Sequence, residues 1–412
     1  MSTMQNLLHE ISAYRRDLIS DGYDTALGAI AARLPELQIH RYPTGSEVWD
    51  WTIPPKWECR TAYIARPDGS IIVSTDDHPL HVMSYSTAVD TAISHNELMK
   101  HVRSREDCPA GIPFEFSYYE PAWAFCIQHD RLHEFDADEY RVLIDSEFSD
   151  GELAIGEVYL PGTLDAEIVL TAHVCHPMQA NDDASGCVAM VELVKRLRDT
   201  PRKYGLRFLW LPETIGTIAY LANEQHNIRY AIALDMLGND NRLVLQHSPF
   251  DESLIDKAGV LVCDEAEPYR TVVSNDEKVY NNVGIPAVSI SRARCWAKGE
   301  VPYYGYHTSL DTAERLHPSL IMDAANRVAD LLDMMDSDWY PQRTGQGPIC
   351  LSKHGLWVDW RQDRQLNLKY ADVLDLLDGR LSVLDIAHGL ELDYWQLLTW
   401  INRMRDECVV WG

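Results

Sequence analysis

The stretch "TAHVCHPMQANDDASG", residues 171–186, places two histidines, a cysteine and two adjacent aspartates within one short segment. The apolar run "AEIVLTAHV" leads into it, and a helical pattern follows from about 184 to 198. A nearly unbroken apolar run is what a strand covered on both faces requires. Metal-capable groups therefore crowd the carboxyl end of a buried strand, where open α/β sheets form their sites.

Three more runs have the same texture: "LRFLWLP" (206–212), "YAIALDM" (230–236) and "IPAVSISR" (285–292). Helical stretches follow at 215–225 and 318–335. Such alternation predicts an α/β domain with a mainly parallel sheet. The ends of these strands carry Pro212-Glu213-Thr214 and Asp235-Met236-Leu237-Gly238, and the loop "GYHTSLDT" beyond the last carries His307 and Asp311. Acidic and imidazole groups thus recur on one rim. Zinc takes imidazole nitrogen and carboxylate oxygen with a position left for water, and a nearby glutamate can serve as proton acceptor.

Around this core, residues 4–34 read as two amphipathic helices broken near "SDGYD", with Leu7, Ile11, Tyr14 and Leu18 at helical spacing. From about 40 to 160 short alternating runs predict strands, with a hairpin turning at Pro67-Asp68-Gly69. Beyond the linker "YPQRTGQGPIC", residues 369–412 read as three short helices and a terminal strand. Ser382 with Asp385 forms a capping signal and Asp393 a second cap. The boundaries drawn are 1–50 for the N-terminal part of the core, 51–140 for a β-rich insert, 141–344 for the core with the site, and 345–412 for a winged-helix-like module.

The formal net charge of −27 disfavours phosphate backbones and anionic lipid, so neither nucleic acid nor membrane is an expected partner. Groove binding by the tail is disfavoured too, because acidic residues outnumber basic ones between Lys369 and Gly412; packing or homo-oligomerisation is the expected role. Nine scattered cysteines without a CxxC pair, a mixed-charge start and the lack of a long apolar stretch point to the cytoplasm.

In the order H-x-x, A-x-D-D-A-S-G, P-E-x-x-G, D-M-x-G and Y-H-T-x-x-D, the chain resembles the zinc aminopeptidases with a phosphorylase/hydrolase-like core and paired metals. "PTGSEVWDWTIPPKW", "HVCHP", "PETIG" and the C-terminal helices resemble a bacterial aminopeptidase-like subfamily with a β-rich insert and a winged helix. The resemblance implies a zinc peptidase core holding one or two zinc ions and cleaving the N-terminal residue of a peptide or small amide. It implies His173 and Asp235 as ligands of the first metal, Asp182 as the bridge with Asp183 beside it, His307 as a ligand of the second, and Glu213 as general base. The alternative is a peptidase-derived scaffold that only binds a ligand or serves a non-peptide amide.

Two positions depart from the pattern. Thr214 stands where the family has a glutamate ligand of the second metal, and Cys175 where it has an aspartate that orients the ligand histidine. His176 or Cys175 could fill the missing ligand. Strand alternation points His176 away from His173 unless the strand ends by Val174.

Other polar clusters have plainer readings. His78 and His81 in "DDHPLHV" read as structural. The run "FSYYEPAWAF" (116–125) reads as core of the insert or as the wall of a substrate pocket. Arg292 and Arg294 are surface arginines or ligands of a substrate carboxylate, and Tyr304 and Tyr306 flank the His307 loop.

Overall fold

In a computed structural model describing residues 3–250 and 252–412, the four apolar runs form adjacent strands at the centre of an eight-stranded sheet. Their spatial order is Gly205–Leu211, Glu167–His173, Ile228–Asp235 and Ala287–Ser291, all parallel. Every residue of Gly205–Leu211 and of Ala287–Ser291 is buried, as the apolar runs require. The helices Ser185–Leu197, Ile215–Asn223 and Glu277–Asn282 pack against the sheet, and Pro318–Ser337 lies on the first of them.

The sheet as a whole is mixed, with its parallel strands at the centre. Glu152–Leu160 and Gln38–Pro43 extend one edge antiparallel, and Val244–Gln246 runs antiparallel to Ala287–Ser291 on the other. The first two strands enter without a crossover helix, which a parallel neighbour would need.

The N-terminal helices span Thr3–Ser12 and Asp21–Ala31. Ser20 caps the second by accepting the Tyr23 N–H. Tyr14 and Leu18, expected on a helix, lie in the link between the two. That link carries the side chain of Arg16 under the strand ends, a long-range demand that helical periodicity does not register.

A second, four-stranded antiparallel sheet contains Lys56–Ala65, Ile71–Ser74, Val89–Ser94 and Glu139–Ser149. It reaches Ser149, beyond residue 140. Its hairpin turns where expected, with Gly69 at a φ of 88° that costs glycine little. From this insert, residues 112–116 run to the rim of the parallel strands. The Phe114 N–H donates to the His307 carbonyl at 2.8 Å, and the Ser309 N–H to the Ile112 carbonyl at 2.8 Å. The insert thereby braces the loop that carries His307.

The C-terminal segment folds as the helices Arg364–Leu376, Val383–Gly389 and Tyr394–Asp406, with Val410–Trp411 paired to Gln342–Arg343. Ser382 and Asp385 cap each other reciprocally, and Asp393 accepts the Gln396 N–H. Lys257 Nζ lies 2.8 Å from Asp385 and ties this segment to the helix Leu254–Val262. Among the described residues, no helix is long and apolar enough to cross a membrane.

Candidate active site

The strand Glu167–His173 stops at His173, and the chain then turns sharply, with His176 at a φ of 85°. That turn settles the direction of the second histidine. Its Nδ1 lies 3.1 Å from His173 Nδ1, and the ring centroids are 4.6 Å apart. Both rings are buried.

Asp182 is shared between two histidines. Its Oδ1 lies 3.0 Å from His173 Nε2 and its Oδ2 2.9 Å from His307 Nε2. Asp235 Oδ1 lies 3.5 Å from the same His173 Nε2. Two triads result, His173/Asp182/Asp235 and His176/Asp182/His307, with one ligand atom per residue and all such atoms within 4.8 Å of one another in each. Glu213 stands beside them, its Oε2 3.8 Å from His176 Nε2 and its Oε1 3.8 Å from Lys278 Nζ.

Burial and mutual contact shift the ionisation of these groups strongly. Burial and the neighbouring Asp182 push Asp235 up to about 7, despite the opposing pull of His173. Burial raises Asp183 well above the usual carboxylate range, with Asp235 and Asp182 adding to it. Burial opposes ionisation of Asp182, yet His176, His173 and His307 outweigh it and hold this carboxyl well below the usual range. Burial keeps His176 well below 6.5, hence neutral, the form in which imidazole binds metal. For His173, burial favours the neutral ring but Asp182 and Asp235 outweigh it, so its pKa lies well above the ordinary value. Asp235 Oδ1 has no hydrogen-bond partner although buried. A divalent ion would satisfy that oxygen and offset the repulsion among the carboxylates. The donor set suits zinc.

Asp183, expected beside the bridge, belongs to neither triad. Its carboxylate accepts the N–H groups of His173 at 3.3 Å, Gly186 at 2.7 Å and Met236 at 3.3 Å, fixing two strand ends together. Cys175 Sγ accepts the Glu213 N–H at 3.2 Å and lies 3.6 Å from His176 Nδ1 and 4.0 Å from His173 Nδ1. It too is within metal-ligand reach of both histidines, but burial pushes its thiol pKa up, away from the thiolate that binds metal. Thr214, at a φ of 65°, donates its N–H to Asp276 Oδ1 at 2.8 Å.

Other residues hold this geometry from behind the candidate ligands: Asn275 carries no signal in the sequence, whereas Asp311 stood in the rim motif without a role. Asn275 Nδ2 donates to Asp235 Oδ2 at 2.8 Å. Asp311 accepts the N–H groups of Asn181 at 2.8 Å and Asp182 at 3.1 Å, and the hydroxyl of Tyr303 at 2.7 Å. His176, Thr214, Met236 and His307 all have positive φ, a strain of about 1–3 kcal/mol each that proteins concentrate at functional sites.

His81 Nδ1 pairs with the Cys126 carbonyl, and His78 accepts the Leu80 N–H. Arg292, expected at the surface, is instead buried and donates to the Asn241 carbonyl and Asp323, which leaves its guanidinium engaged within the fold. Tyr306 stacks on His307 at 4.0 Å, whereas Tyr304 is exposed.

Residues 5–338 match the family described as "Domain of unknown function (DUF4910)". The chain belongs to that family. A curated relative of this DUF4910 chain, from Clostridium acetobutylicum, is 30% identical over 408 residues, covering 94% of this chain and 91% of its own. It is provisionally named a polysaccharide biosynthesis protein with aminopeptidase-like domain. A crystal structure from the same organism, provisionally named a peptidase, covers 99% of this chain and 95% of its own at 26% identity and a TM-score of 0.86. A zinc aminopeptidase from Bacillus subtilis covers 80% of this chain and 93% of its own at 13% identity, with a TM-score of 0.59. The DUF4910 chain therefore has the fold of the zinc aminopeptidases, a peptidase-like hydrolase fold.

Proposed function

We propose that this chain is a zinc-dependent hydrolase of the aminopeptidase type, removing the N-terminal residue of a peptide or similar small amide. The observation that carries the reading is the division of Asp182 between His173 and His307, with Asp235 completing one triad and His176 the other. In this reading His173, Asp182 and Asp235 hold one zinc. His176, Asp182 and His307 hold a second, His176 taking the place left by Thr214. Zinc held by these residues would supply a water of lowered pKa and polarisation of the amide carbonyl.

Glu213 supplies the proton transfer. Its carboxylate stands beside His176 and is partly open to solvent, so Oε2 takes the proton of the attacking water and returns it to the leaving amine. Cys175 fixes the Glu213 backbone, and Lys278 orients the other carboxylate oxygen.

A panel of aminoacyl amides, assayed with and without added zinc alongside elemental analysis, tests the proposal. Zinc-dependent release of the amino acid supports it; zinc-free protein, or zinc-loaded protein inert to every amide, opposes it. The name of the Clostridium relative favours a second reading, in which the same centre serves or binds a non-peptide amide such as an acylated amino sugar. Including N-acetylglucosamine in the panel separates the two.

A further inference from the structure

We propose that the β-rich insert forms an aromatic subsite beside this centre, selecting amides that carry a large apolar ring. For its reaction this inference rests on the hydrolase reading; for its binding it does not.

A continuous run of rings leads outward from the centre. Phe114 meets His176 and His307 edge-on, with centroids 5.0 and 5.3 Å away. Phe116 lies 5.6 Å from Phe114 and stacks on Tyr118 at 4.4 Å. Tyr118 meets Tyr85 edge-on at 5.1 Å, and Tyr85 stacks on the buried Trp57. Burial, with Cys175 and Asp17 adding to it, raises the Tyr118 phenol well above its ordinary pKa.

Beside Tyr118 opens a recess of about 380 Å³, walled by Pro54, Tyr85, Tyr119, Pro121 and Phe148. Recesses of this size hold small molecules. Phe116, Tyr119 and Phe148 are 45%, 51% and 42% exposed, an unusual amount of apolar ring left to water in one place.

The hydroxyls of the lining decide the class of ligand. Tyr85 donates to the Pro55 carbonyl at 2.9 Å, Thr87 to Ala122 at 3.3 Å, Ser117 to Glu120 at 2.7 Å and Tyr119 to Thr52 at 3.1 Å. These four of the six lining hydroxyls, Thr52 and Tyr118 being the others, already donate to backbone, and Glu120 is the sole charge among the described lining residues. A sugar would find few partners for its hydroxyls. A phenyl or naphthyl ring would find edges and faces at the spacing aromatic pairs prefer.

The test compares kcat/KM of the zinc-loaded protein for L-alaninamide, L-phenylalaninamide and L-alanine β-naphthylamide, which place the ring nowhere, on the amino side and on the leaving side. At least one ring-bearing amide should exceed L-alaninamide by about tenfold or more, the scale on which apolar pockets discriminate. Tyr118→Ala and Phe148→Ala should each cut that advantage several-fold. Measuring it as a ratio cancels general loss of activity and the intrinsic reactivity of the amide. Phe148 is exposed, so its variant keeps the test valid if Tyr118→Ala fails to fold. The same amides, titrated calorimetrically into Glu213→Gln protein, report binding without turnover, and the ring-bearing ones should bind more tightly. Ring-selective binding without cleavage by wild type would sink the hydrolase reading while supporting the subsite. Equal affinities for all three, an advantage untouched by both variants, or binding of N-acetylglucosamine in preference to the aromatic amides would overturn the subsite.

Discussion

Arg16 donates to the backbone carbonyl of His176 at 2.9 Å, from 160 residues away in the sequence. The same guanidinium donates to the carbonyls of Val174 at 2.6 Å and Gln179 at 2.7 Å, and also to Ile11. It is buried, and its partners here are carbonyls rather than carboxylates. One planar fork thus pins the turn that brings His176 against His173.

Lysine cannot reproduce that fork. Arg16→Lys should destabilise the protein by about 2–3 kcal/mol, the scale for losing charge-assisted hydrogen bonds in the interior. Zinc affinity should fall with it, about tenfold or more. Thermal denaturation and competition with a chromogenic chelator read the two effects; an unchanged zinc affinity would mean the turn holds without the clamp.

His176→Ala should leave the triad of His173, Asp182 and Asp235 intact and lower zinc from two ions per chain toward one. Adding Thr214→Glu to that variant should restore part of the second ion. Elemental analysis of the single and double variants decides this, and full zinc in His176→Ala would assign the second site to other donors, Cys175 first among them.

Zinc affinity should depend on pH through Asp235. Its pKa of about 7 without metal means that the proton competes with zinc below neutrality. Affinity should fall as pH drops from 8 to 6, with proton release on binding at the lower end. Calorimetry in two buffers of different ionisation enthalpy measures that release, and an affinity flat across this range would contradict it.

A second pH effect concerns stability rather than metal affinity. Burial pushes Glu277 up to about 8, its carboxyl accepting the Asn275 N–H and the Gln246 amide. The folded state therefore binds this proton more tightly than the unfolded chain does. Stability is present below the ordinary glutamate pKa and declines as pH rises toward 8. Glu277→Gln should flatten this decline, measured as Tm between pH 5 and 9. A wild-type profile that rises toward pH 8 on account of this residue would refute the assignment.

The parallel strands were legible because each is an apolar run ending in polar, metal-capable residues, so periodicity and placement agree. His173, Asp182, Asp235 and His307 converge for the same reason. The direction of His176 was not legible, because it depends on a positive φ at a residue other than glycine, held by Arg16. Asn275 looked like an ordinary loop residue, and Asp311 stood in the rim motif without a readable role, since what distinguishes each is the distant atom it meets. Tyr14 and Leu18 kept helical spacing where no helix continues, because the link they occupy is shaped by the site.

Glu213→Gln, assayed for zinc content and turnover in one preparation, tests the account most directly. The side chain stands beside His176 without completing either triad, so the variant should keep the fold and its full zinc. Turnover of aminoacyl amides should fall by about 10²- to 10⁴-fold, the range for loss of a positioned general base. A Glu213→Gln protein with full zinc and undiminished turnover would contradict the mechanism.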